Sequence, residues 1–70
     1  MCLSTAYLNS DGTRREVMKD VARIEAVDGG VWLINLFDER QFVENSTVRT
    51  IDLVNDHTVI LERTETNAGT

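Results

Sequence analysis

The sequence contains no proline, a single cysteine and a single histidine, and only four aromatic side chains in 70 residues. Each shortage excludes something. One cysteine rules out an internal disulfide, so a chain of this size, able to bury only about 60% of its unfolded surface, must find another way to reinforce a thin core. The remaining devices are a metal and a partner subunit. No stretch comes near the roughly 18 consecutive apolar residues of a membrane span, and the N-terminus has neither a basic flank nor an apolar signal region. The expected compartment is therefore the cytoplasm, which also suits an unpaired thiol. Twelve acidic residues against seven basic ones leave a net charge of -5, a field that repels phosphate backbones and anionic lipid heads.

The chain has no glycine-rich phosphate loop, no nucleophile-elbow pattern and no heptad or solenoid repeat. What punctuates it is a set of turn signals: Ser10-Asp11-Gly12, Asp28-Gly29-Gly30, Asp38-Glu39 and Asn55-Asp56. Their spacing, with 15, seven and 15 residues between them, predicts a meander of short strands. The first segment, Cys2 to Asn9, is mixed in pattern. Thr13 to Met18 pairs back on it through the Asp11-Gly12 turn. Val21 to Val27 sets Ala22, Ile24 and Ala26 against Arg23 and Glu25, the period-two pattern of a half-buried strand. Val31 to Phe37 is apolar on both faces except at Asn35, so one face is expected to meet the core and the other a second subunit or an N-terminal segment. Thr47 to Val54 and His57 to Arg63 form a last hairpin. A helix over Glu16 to Ala26 competes with the strand reading, because Val17, Val21 and Ile24 also recur at helical spacing. The predicted fold is all-β: one domain over residues 1–63, a small bent sheet or partly open barrel of about six short strands, with residues 64–70 a mobile tail.

Cys2 is the residue most able to carry chemistry. A cysteine directly after the initiator methionine has main-chain nitrogens beside its thiolate. If Met1 is removed, the α-amine and sulfur form a five-membered chelate; if it stays, the amide nitrogen of Cys2 serves after metal-assisted deprotonation. One chain offers too few ligands for a closed tetrahedral site, whereas two copies on a two-fold axis supply two sulfurs and two nitrogens, a planar set suited to Ni(II). The alternative is a small hydrophobe packed on the first strand. His57, just after a turn, is expected to be solvated, with metal ligation a minor role. Trp32, Phe37 and Phe42 are better accounted for by core packing than by a base-stacking platform. The arginines are scattered among acidic neighbours and form no phosphate track. No catalytic residue is assigned, and the chain is not expected to be an enzyme.

In combination, Met1-Cys2, the Asp11-Gly12 hairpin, the Val21–Val27 strand, the Gly29-Gly30 turn and Leu36-Phe37-Asp38-Glu39 ahead of a Ser/Thr-Val strand and a final hairpin resemble the CooT family of small nickel-binding proteins. The resemblance covers residues 1 to 63. It implies a small Sm- or SH3-like β fold, a homodimer, Ni(II) held by Cys2, and a part in the maturation of carbon monoxide dehydrogenase, with that nickel enzyme or its maturation factors as partners. Histidine-rich segments, which would mark a nickel reservoir, are absent. The alternatives are an Sm-like RNA-binding module, which the acidic charge disfavours, and a protein-interaction subunit that binds no metal.

Overall fold

A computed structural model describes residues 3–64. Six strands make one sheet: β1 (Ser4–Ser10), β2 (Thr13–Val27), β3 (Gly30–Asn35), β4 (Arg40–Glu44), β5 (Ser46–Asp52) and β6 (Thr58–Arg63). Their spatial order is β4-β3-β2-β1-β6-β5, curled into a half-barrel. Every pairing is antiparallel except β1 with β6, which run parallel from Thr5 opposite Thr58 to Asn9 opposite Glu62.

The turns follow their residues. Asp11 and Gly12 both take positive φ, 52° and 77°, the conformation that an Asp-Gly hairpin turn supplies at low cost. Between β2 and β3 only Asp28 and Gly29 intervene, with Gly29 at φ 89°. The next glycine is needed for a different reason. A Cβ on Gly30 would lie 2.3 Å from the Val43 carbonyl oxygen and 2.7 Å from the end of the Phe42 ring, so β3 and β4 approach this closely only because Gly30 has no side chain.

Four irregularities bend the sheet. The Ser4–Val21 and Ala6–Met18 pairs leave one extra residue on β2, and Asp20 in that stretch has φ 56°. Val17 is extra between Met18 and Glu16, Ala22 between Val21 and Arg23, and Arg49 between Val48 and Thr50. Bulges of this kind raise the local twist and turn a flat sheet into a curled one. Inside the curl lie Ala6, Leu8, Val21, Val31, Leu33, Val43, Val59 and Leu61, with Val31, Leu33 and Leu61 wholly shielded. Each such side chain contributes about 1.5–3 kcal/mol of burial free energy.

The all-β expectation is met, but the strands divide differently. Thr13–Met18 and Val21–Val27, expected as two strands, are one strand of 15 residues. β2 pairs with β1 along its first half and with β3 along its second, and Val21 faces Ser4 on one side and Asn35 on the other. The Asp20 bulge that looked like a break is a bend within it. The helix alternative over Glu16–Ala26 is excluded by the same strand. Arg40–Glu44, assigned no strand from the sequence, is edge strand β4, joined to β5 through the single residue Asn45 at φ 53°. The aromatic expectation is also corrected. Trp32 and Phe42 are about two-fifths exposed and Phe37 is 71% exposed. Trp32 and Phe42 face each other on the outer surface with ring centroids 5.0 Å apart, because the bend puts the alternate residues Val31 and Leu33 inside.

Candidate functional site

Cys2 lies outside the described residues. Leu3, the next residue in sequence, is the first of the described residues. Leu3 lines a groove of about 390 Å³ at the end of the sheet where β1 begins, together with Val21, Ile24, Leu36, Ile51 and Leu53.

The rim of the groove is held open by polar side chains in its loops. In the β3–β4 connection the Asn35 Oδ1 accepts hydrogen bonds from the main-chain N–H groups of Phe37 and Glu39, both at 2.9 Å, and its Nδ2 donates to Glu39 Oε1 at 2.7 Å. The Leu36 N–H donates to the Asp20 carbonyl at 2.9 Å. With the backbone satisfied in this way, Leu36 and Phe37 are directed outwards, 52% and 71% exposed. Asn35, the one polar residue in an apolar run, is therefore the anchor of this loop. Its alternation-breaking position was visible in the sequence, but its role was not.

A second Asx turn shapes the β5–β6 loop. Asp52 Oδ1 accepts from Asn55 N at 2.9 Å and Val54 N at 3.1 Å. These two main-chain donors, Asn55 first, hold its carboxyl below the ordinary 3.8, with the nearby His57 adding a small pull in the same direction. Leu53 and Val54 on this loop are 53% and 81% exposed. His57 itself is half-buried at φ 52°, and its carbonyl accepts the Thr5 N–H at 3.1 Å. The sole histidine of the sequence thus sits beside the start of β1, at Thr5. That neighbourhood depends on the parallel β1–β6 pairing between chain ends, for which local pattern gives no signal.

Among the described residues no group of three or more histidine, cysteine, aspartate or glutamate side chains is placed to hold a metal. Among the same residues no helix is long and apolar enough to cross a membrane.

Fold and site define a small all-β half-barrel with an apolar groove beside its N-terminal strand. The family model described as CO dehydrogenase accessory protein CooT matches residues 1–62. The chain belongs to the CooT family, whose members are accessory proteins of CO dehydrogenase. Among solved structures it is similar to a candidate CooT from Carboxydothermus hydrogenoformans, with a TM-score of 0.77 and 24% identity over 89% of this chain and 97% of that one. That likeness establishes the shared fold. No protein of curated function matches the chain.

Proposed function

We propose that this protein carries nickel as cargo for the maturation of carbon monoxide dehydrogenase, binding one Ni(II) per homodimer through the Cys2 thiolate of each chain and adjacent main-chain nitrogens. The observation that carries the reading is the family match, which runs from residue 1 and so includes Cys2. Chemistry supports it further. Thiolate sulfur selects a soft or borderline ion over magnesium or calcium, and two sulfurs with two nitrogens in a plane suit d⁸ nickel. The reading assigns no catalytic step to the chain, and it places the protein in the cytoplasm, where a lone thiol stays reduced.

Titration of the metal-free protein with nickel tests this. The expected result is an ultraviolet sulfur-to-nickel charge-transfer band that saturates at one nickel for every two chains and is lost in Cys2→Ser, while circular dichroism of the variant stays unchanged. Nickel bound by Cys2→Ser with unaltered affinity and stoichiometry would end the proposal.

One observation favours a different module: Trp32 and Phe42, part-exposed with their rings tilted 47° to one another, offer aromatic faces of the sort on which bases stack. Glu25 stands opposite Trp32 in the β2–β3 register, however, and the net charge of -5 repels a phosphate backbone, so nickel carriage is the better account.

A further inference from the structure

We propose that the open edge of β4 takes up an extended, basic segment of a partner protein as an added strand, with a lysine or arginine of that segment seated over Trp32 and Phe42. The inference goes beyond nickel carriage and does not rest on it.

Among the described residues β4 pairs with β3 on one side and with no strand on the other. At the two ends of that pairing the Asn45 N–H donates to the Gly29 carbonyl at 2.7 Å and the Asn35 N–H to the Glu39 carbonyl at 3.0 Å. Hydrogen-bonded pairs recur at every second residue of an antiparallel ladder. Gln41 and Val43 therefore turn their main-chain groups towards Leu33 and Val31, while Arg40, Phe42 and Glu44 turn theirs to the open edge. The Glu44 carbonyl is met there by the Arg63 guanidinium at 3.0 Å. The N–H and C=O groups of Arg40 and Phe42 form a template for a further strand, the arrangement by which sheet edges capture extended peptides.

Side chains specify the segment. Arg40, Phe42 and Glu44 alternate with inward-facing Val43 and so share the outer face of β4. Trp32 stands across from Phe42, the ring planes tilted by 47°, and Glu25 stands across from Trp32 with its side chain 43% exposed. Two part-exposed aromatic faces between two carboxylates, Glu25 and Glu44, make a seat for a cation, whose attraction to a ring reaches about 6 Å from the centroid. Arg23 takes up part of the Glu25 charge at 2.7 Å and Arg40 turns to Asp38 at 4.0 Å, whereas no cation among the described residues pairs with Glu44. An added strand lies about 4.8 Å beyond β4, so a residue facing Phe42 touches both rings only through a long side chain, which lysine and arginine have.

Charge also decides against a second copy of this chain. A paired β4 would present Phe42 rather than a cation at this register, and each chain carries -5. The field that repels a phosphate backbone attracts a basic segment.

Amide hydrogen exchange of the full chain, with and without a capped seven-residue peptide of alternating threonine and arginine, tests the edge. In the free protein the Arg40 and Phe42 amides should exchange faster than those of Gln41 and Val43. Saturating peptide should slow both by tenfold or more and change the Trp32 fluorescence. The same peptide with every main-chain amide N-methylated keeps its charge and should give no protection. Phe42→Thr, which keeps a strand-forming residue, should raise the peptide dissociation constant about fivefold or more. Should that variant fail to fold, Glu44→Gln at an exposed side chain provides a second, and it should weaken binding more than Asp56→Asn, which removes the same charge from the β5–β6 loop. Arg40 and Phe42 amides already protected in the free chain would overturn the inference, as would equal binding of the N-methylated peptide or equal effects of Glu44→Gln and Asp56→Asn. Single-stranded RNA that changed Trp32 fluorescence where the peptide did not would give this face to bases and refute the proposal.

Discussion

Two clefts of nearly equal size, about 390 and 410 Å³, lie at opposite ends of β1 and β6, and their linings differ in kind. The cleft near Leu8 is lined by Arg15, Glu16, Gln41, Glu44 and Arg63, which are ordinary solvated groups, and the Arg63 guanidinium donates to the Glu44 carbonyl at 3.0 Å. The groove near Leu3 has aliphatic walls and almost no charge. A polar cleft is satisfied by water, whereas an apolar one of the same volume is not, so equal shape leads to unequal consequence. The same contrast separates leucines: Leu33 and Leu61 are shielded completely, while Leu36 and Leu53 are about half exposed. Strand register encloses the first pair, and Asx-anchored loops hold out the second.

The contrast can be broken most severely from inside. Leu33→Ala empties a fully buried position and should cost about 2–5 kcal/mol, a large part of the stability of so small a domain; urea unfolding would show the midpoint collapse. An equivalent truncation at half-exposed Leu36 should leave that midpoint nearly unchanged, and an equal loss at both sites would abolish the distinction. Gly30→Ala comes next. Its Cβ would press on the Val43 carbonyl and the Phe42 ring, so overpacking should cost about 1–3 kcal/mol and disturb Trp32 fluorescence, because Phe42 must move away from its neighbour.

The smallest effect is expected at Asp52. Its carboxyl is held below the ordinary range by main-chain donors, so the ionised form favours the folded loop. That contribution is complete above the ordinary carboxylate value of 3.8 and is lost as pH falls through the lower folded value. Asp52→Ala should therefore lower the thermal midpoint slightly at neutral pH, with the difference from wild type disappearing in acid. A difference that grew as the pH fell would contradict the assignment.

Much of the sheet was legible because turn chemistry is local. Asp11-Gly12, Asp28-Gly29 and Asp38-Glu39 mark strand ends, and the final hairpin follows from alternation after Asn55-Asp56. The errors have local causes too. β2 reads as two strands because its two halves serve different neighbours across the Asp20 bulge, and β4 was missed because Arg40, Gln41 and Glu44 outnumber its two apolar residues. Trp32 and Phe42 were expected inside because apolarity alone does not reveal which face of a bent strand looks inward. Cys2, singled out in the sequence by type and position, lies outside the described residues. The groove lined by Leu3 was not legible, since Leu36, Ile51 and Leu53 are brought together only by the folded sheet.

The parallel pairing of β1 with β6 has a consequence for the order of assembly. β1 is the first of the six strands to be synthesised and β6 the last, so β1 has a hydrogen-bonded neighbour on only one side until the final hairpin exists. Closing a contact between strands so far apart in sequence carries the largest loop entropy of any pairing in the sheet, and it belongs to the slow part of folding. The groove wall contributed by Val59 and the support for the start of β1 therefore arise together at the end, and a partly made chain lacks the completed groove.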